Sequence, residues 1–242
     1  MAHKDIPLRE RIIFALDVGS PDQAKELVKR LESHIGFYKV GLQLFLAGWF
    51  PVVEWIAGRG HKVMVDLKFF DVPETVKLAV AQLTGRNVTF ATVHGNDPIL
   101  KAAAEAKREV KILAVTALTS FGEEDMKEML GAPCKIEDLV LARARRALEA
   151  GIDGIVSSGL EAARLRGELG DKFLVVTPGI RPGSNTEVPR DDQKRIMTAG
   201  LAIANGADHI VVGRPIRDAA DPILVIESMW KEIEKALSSA NA

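Results

Sequence analysis

The chain has 242 residues, 47% of them hydrophobic, and 32 Lys and Arg against 33 Asp and Glu leave a formal net charge of −1. This near-neutrality excludes recognition of nucleic acid or a membrane surface through bulk charge, so any anionic ligand must be held by a few local groups. The single cysteine, Cys134, excludes an internal disulfide framework and a multi-cysteine zinc site, while a polar N-terminus and the lack of any apolar run of spanning length lead to the expectation of a soluble, cytoplasmic protein.

Ile12-Ile13-Phe14-Ala15-Leu16 is a short continuous apolar run ending at Asp17, the pattern of a buried parallel strand. Ser20 then offers an N-cap and Pro21 a first helical position, with Ala24, Leu27, Val28 and Leu31 at helical spacing. Phe37–Val40 predicts a second strand with Lys39 near its end, followed by a helix over Gln43–Ala57 that breaks or bends around Pro51. Val63-Met64-Val65 predicts a third, leading into Asp66-Leu67-Lys68-Phe69-Phe70-Asp71 and a helix over Pro73–Thr84.

Val88–Val93 predicts a fourth strand, ending at His94-Gly95-Asn96, before a helix over Pro98–Lys107. A fifth spans Lys111–Ala117 and closes in Leu118-Thr119-Ser120, with helices over Gly122–Leu130 and Ile136–Ala150. Gly154–Val156 is a sixth, before a helix over Leu160–Leu169; Phe173–Val176 is a seventh, ending at Thr177-Pro178-Gly179; His209–Val212 is an eighth, ending at Gly213-Arg214. Eight alternations of strand and helix predict a parallel sheet with right-handed crossovers, and eight units are the number that closes into a barrel. A doubly wound open sheet competes, but no Gly-x-Gly-x-x-Gly follows the first strand. The reading is therefore a (β/α)8 barrel, one domain over residues 1–242.

In such a barrel, chemistry gathers at the C-terminal ends of the strands. Asp17, Lys39, Asp66, Lys68, His94, Thr119, Arg181 and Arg214 all fall there. Each alone is an ordinary polar surface group, and His94 reads more readily as a packed histidine than as a catalyst; the coincidence across separate strands is what points to a site. Side chains two apart on a strand share a face, so Asp66 and Lys68 are expected to point the same way, with Asp71 in the following loop. Val211-Val212-Gly213-Arg214-Pro215 supplies backbone amides, a glycine and a guanidinium suited to phosphate, which barrels often bind beyond strands seven and eight. The polar, Pro- and Gly-rich stretch from Gly179 to Asp192 suits a lid, with Arg181 and Gln193 able to close on a ligand.

These residues resemble the orotidine 5′-phosphate decarboxylase family over nearly the whole chain. Asp66-x-Lys68-x-x-Asp71 is similar to that family's signature, and it stands among Phe14-Ala15-Leu16-Asp17, Lys39-Val40-Gly41, Leu118-Thr119-Ser120, Thr177-Pro178-Gly179-Ile180-Arg181, Asp191-Asp192-Gln193 and Val212-Gly213-Arg214. The resemblance implies loss of CO2 from orotidine 5′-phosphate to give UMP in pyrimidine biosynthesis, with no cofactor and no metal. It implies a homodimer in which Asp71 and Thr75 reach the partner's site. Asp17 and Lys39 would bind ribose hydroxyls, Thr119 the pyrimidine or its lid, and Gln193, Arg181, Gly213 and Arg214 the phosphate. Lys68 would deliver the proton, within an alternating set of Lys39, Asp66, Lys68 and Asp71. Related magnesium-dependent hexulose-phosphate synthases and keto-gulonate-phosphate decarboxylases carry a glutamate ligand where this chain has Lys39, and an ammonium has no lone pair for a metal. A Schiff-base aldolase is disfavoured because two acids keep Lys68 protonated; a non-catalytic phosphate-binding barrel has no need of the charged set.

Overall fold

The computed structural model describes residues 3–183 and 195–239. Eight strands, β1 (Ile12–Ala15), β2 (Phe37–Gly41), β3 (Lys62–Phe69), β4 (Phe90–Val93), β5 (Lys111–Val115), β6 (Gly154–Val156), β7 (Leu174–Thr177) and β8 (His209–Val212), pair in sequence order, all parallel. β8 returns to β1 with Ile13 opposite Val211, which closes the barrel expected from the alternation.

The strands are apolar almost throughout because both of their faces are covered. Period-two alternation divides their side chains into two cores. Phe14, Tyr38, Val40, Val63, Val65, Ile112, Ile155, Val175 and Ile210 point outward under the helices. Ile13, Ala15, Phe37, Met64, Phe90, Leu113, Val156, Val176 and Val211 fill the interior. Following each interior row towards the strand's C-terminal end gives 13, 15, 17 on β1, 37, 39 on β2, 64, 66 on β3 and 90, 92 on β4. The next positions of the same rows are thus Asp17, Lys39, Asp66 and Thr92, a polar layer stacked on apolar ones.

Around the barrel lie α1 (Leu8–Arg11), α2 (Pro21–Leu31), α3 (Leu42–Gly58), α4 (Pro73–Ala81), α5 (Asp97–Ala106), α6 (Glu123–Leu130), α7 (Ile136–Glu149), α8 (Gly159–Leu169), α9 (Ala199–Ala204), α10 (Arg214–Arg217) and α11 (Pro222–Ser239). Ser20 caps α2 by accepting from the Gln23 amide, with Pro21 in the first turn, as its sequence suggests. The break expected near Pro51 falls at Trp49, whose φ of 48° and ψ of −151° interrupt α3. The helical pattern of Ala199–Ala204 and the long α11 carry no strand-end motif and are not assigned by the sequence reading; α11 packs against α9 and α10, closing the barrel's outer ring. No helix among the described residues is long and apolar enough to cross a membrane.

Candidate active site

The polar layer opens into a cavity of about 250 Å³ at the C-terminal end of the barrel, lined by Asp17, Lys39, Asp66, Lys68, Thr119, Arg181, Gly213 and Arg214. All eight were singled out from sequence, and they come from six different strand ends. Within this cavity the charges alternate in space. Lys39 Nζ donates to Asp17 Oδ1 at 3.0 Å and stands 3.6 Å from Asp66 Oδ2, and Lys68 Nζ donates to Asp66 Oδ1 at 2.9 Å.

Asp66 and Lys68 do share a side, but not by plain alternation. Val65 pairs with Ala91 and Phe69 with Val93, so β3 spends four residues where β4 spends two. This irregularity bows Asp66-Leu67-Lys68 away from β4, while Asp66 stays in register with Gly41 of β2, and Lys68 takes a φ of 50°, a left-handed conformation that a lysine seldom adopts. Thr92 pins the bow: its hydroxyl donates to Asp66 Oδ1 at 2.9 Å and accepts from the Lys68 amide at 2.9 Å. Sequence reasoning passed over Thr92, although a hydroxyl two residues beyond Phe90 on an inward row was a usable signal. Gly41 gives the pair beside it room, since a Cβ there would lie 3.0 Å from Lys39 Nζ and 3.3 Å from Asp17 Oδ1.

Lys39 is buried, and the Asp66 side chain is only 12% exposed. Burial alone would push the Lys39 ammonium down, but Asp66 and Asp17 outweigh it and hold Lys39 above the usual lysine value. Burial alone would push the Asp66 carboxyl up, but Lys39, Lys68 and the hydrogen bonds from Lys68 and Thr92 keep it below the usual carboxylate range. Neither group therefore changes charge near neutral pH. The ammonium of Lys39 stands between the two carboxylates and offers no electron pair.

Beside Asp17, Gly213 follows β8, with Asp17 Oδ2 3.6 Å from where its Cβ would be, so no side chain covers the backbone there. Arg214 follows it, and Arg217 Nη1 donates to the Asp17 carbonyl at 2.8 Å, fastening this turn to the end of β1. Arg181 is buried and donates through Nη1 to the Ile180 carbonyl at 2.7 Å. Gln193, and the expected lid from residue 184 onward, lie outside the described residues. Asp71 and Thr75 are exposed and do not line the cavity of their own chain; Asp71 Oδ1 accepts from the Val72 amide at 2.7 Å. His94 is a packed histidine, as read: its Nδ1 lies 2.8 Å from the Val115 carbonyl and its ring is 5.4 Å from that of Phe70.

A closed barrel with alternating acids and lysines at one end, beside a glycine-arginine turn after β8, defines a (β/α)8 barrel with a charged cavity at the C-terminal ends of its strands, where barrels of this class carry their active sites. Comparison with known proteins narrows the class. The profile of the orotidine 5′-phosphate decarboxylase / HUMPS family matches residues 10–229, and the chain belongs to that family. It is 56% identical to an orotidine 5′-phosphate decarboxylase of Methylococcus capsulatus over 223 residues, 92% of this chain and 91% of the relative. It is 48% identical to that of Rhodopseudomonas palustris over 238 residues, 98% of this chain and all of the relative. The crystal structure of orotidine 5′-phosphate decarboxylase from Lactobacillus acidophilus is similar with a TM-score of 0.80 at 33% identity, covering 93% of this chain and 99% of that one.

Proposed function

We propose that this chain, as a single-domain cytosolic barrel, catalyses the decarboxylation of orotidine 5′-phosphate to UMP and CO2 in pyrimidine biosynthesis, with no cofactor or metal. The observation that carries this reading is the alternating row Asp17, Lys39, Asp66, Lys68 inside one cavity. When CO2 leaves C6 of the pyrimidine, the bonding pair stays in an orbital in the ring plane, outside the π system. It must be met by a cation already in place. Lys68 is that cation, and its Nζ gives the proton that completes the C6–H bond of UMP. Asp66, buried beside it, crowds the substrate carboxylate and keeps Lys68 oriented. Lys39 and Asp17 receive the ribose hydroxyls, Thr119 the base, and Arg181, Gln193, Gly213 and Arg214 the phosphate. Gripping this remote group supplies binding energy that is used at the reacting carbon.

The reading includes a homodimer. Asp71 and Thr75 lie near exposed Phe70, Val72 and Leu78 in the chain, at 66%, 63% and 59% exposure, apolar side chains that a partner surface would cover. A second copy covering this face would receive Asp71 and Thr75 at its own site, with Asp71 extending the row next to Lys68. Mixing Lys68→Ala with Asp71→Ala tests it: activity is expected to reappear in mixed dimers, where one of the two sites is intact, and its absence would remove Asp71 from the shared role.

The central test is direct. EDTA-treated protein incubated with orotidine 5′-phosphate is expected to convert it to UMP, followed by the ultraviolet change. No turnover, or turnover that returns only with magnesium, would overturn the proposal.

A further inference from the structure

A buried ion pair lies one layer behind the cavity and has no part in the chemistry described so far. Arg195 Nη1 donates to Glu161 Oε1 at 2.6 Å, both side chains being less than a tenth exposed. The other branch of the same guanidinium, Nη2, donates to the Leu118 carbonyl at 3.0 Å and approaches the Ala117 carbonyl at 3.4 Å. Glu161 stands in the first turn of α8, and its second oxygen accepts from the Ser157 hydroxyl at 3.3 Å. Ala117, Leu118 and Ser157 all belong to the cavity wall.

Arg195 also lies on the stretch of chain that leads into α9. Two residues on, Met197 is bridged to the segment after β7: the Arg181 amide donates to the Met197 carbonyl at 2.9 Å, and the Met197 amide to the Gly179 carbonyl at 3.1 Å. One guanidinium thus joins the loop after β5, which carries Thr119, to the bridged segments that carry Arg181. A lysine has no planar fork with which to hold a carboxylate on one side and carbonyls on the other.

Such a pair is a poor device for stability alone. Well-packed apolar residues often replace a buried ion pair at no cost, and here Arg195 Nε is buried with no hydrogen-bond partner among the described residues. We infer that Arg195, held by Glu161, is a positioning residue that fixes the Leu118–Thr119 loop against the Arg181–Met197 bridge, so that the base and phosphate ends of one substrate are gripped at a set separation. This rests on the decarboxylase reading above. Misplacement of either grip is felt when the bound substrate is strained towards reaction, so the loss appears in kcat as well as in KM.

The test sets Arg195 against a control of the same chemistry. Arg166 forms an equally buried pair with Asp208, at 2.7 Å, away from the cavity lining. Arg195→Lys and Arg195→Met, with Arg166→Lys, are assayed on orotidine 5′-phosphate at a temperature where melting curves show all to be folded. Arg195→Met is expected to lower kcat/KM about ten- to a hundredfold, Arg195→Lys to recover part of it, and Arg166→Lys to lower only the melting temperature. Wild-type kcat/KM in the Arg195 variants, or the same loss in Arg166→Lys, would overturn the inference. Should Arg195→Met not fold, Glu161→Gln decides, a tenfold loss supporting the inference and wild-type activity overturning it. Inactive wild-type protein would instead remove the functional reading, and the inference with it.

Discussion

At the base of the barrel Asp208 accepts from Lys4 at 3.0 Å, from Arg166 at 2.7 Å and from the Val175 amide at 2.9 Å, and Arg11 caps its carbonyl at 3.2 Å. At the mouth Asp66 accepts from Lys68 and Thr92 and lies beside Lys39. Both acids are largely buried and both are paired, but what lies beyond their cations differs. At the base the Arg166 guanidinium, which never gives up a proton, reaches the carboxylate through one nitrogen and the Gly206 and Phe173 carbonyls through the others, beside the Lys4 ammonium. The mouth relies on ammonium groups, compact charges on flexible stems that can deliver a proton. At the base, too, the hydrogen bonds run into carbonyls and amides of the frame, whereas the row at the mouth ends in open space. Buried charge is thus set in two different surroundings in one barrel, and what lies beyond the cation tells them apart.

Three substitutions or conditions separate the two. The largest effect is expected from Lys68→Ala, which should abolish turnover while leaving UMP binding measurable by titration; near-normal rates would take Lys68 out of the proton step. At the base, Asp208→Ala leaves Arg166 buried without its carboxylate, so urea unfolding should show a loss of about 3–5 kcal/mol, with kcat unchanged at a temperature where the protein stays folded. A large fall in kcat there would erase the distinction between the two ends.

The smallest effect is a pH slope. His209 lies inside the base, edge-on to Phe37 and Phe90, and burial, chiefly, pushes its imidazole down to about 4 against an ordinary 6.5. The unfolded chain takes up this proton first, so native stability falls as pH drops from about 6.5 to about 4, by roughly 3 kcal/mol in all. Urea melts across that range should show the slope, and His209→Gln should flatten it. Of the charges at the mouth, Lys39, held high, contributes no slope there, and Asp66, held low, adds one only at the acid end, as the unfolded carboxyl near 3.8 begins to take up its proton.

Much of this was legible in the sequence, for a physical reason. Strands covered on both faces read as continuous apolar runs, so the residue that ends each run marks a strand end, and Asp17, Lys39, Asp66, Arg181 and Arg214 could be collected without coordinates. Less legible was anything settled between distant segments. The bow at Asp66–Lys68 depends on Thr92 of the neighbouring strand, and alternation alone hid the left-handed turn. The Arg195–Glu161 pair spans 34 residues of chain and leaves no local pattern. Asp71 and Thr75 carry a different lesson. Their place in the signature suggested a role, but within one chain they stay exposed and do not line its cavity.

The left-handed backbone at residue 68 has a consequence for the history of such a chain. Steric preference at that position favours glycine, and the cation alone argues for lysine. Random substitution there meets two opposed selections, comfort of the main chain against retention of the ammonium beside Asp66. A barrel of this architecture that lost its substrate would be free to drift to glycine at residue 68, and that residue would then record whether the old chemistry was still in use.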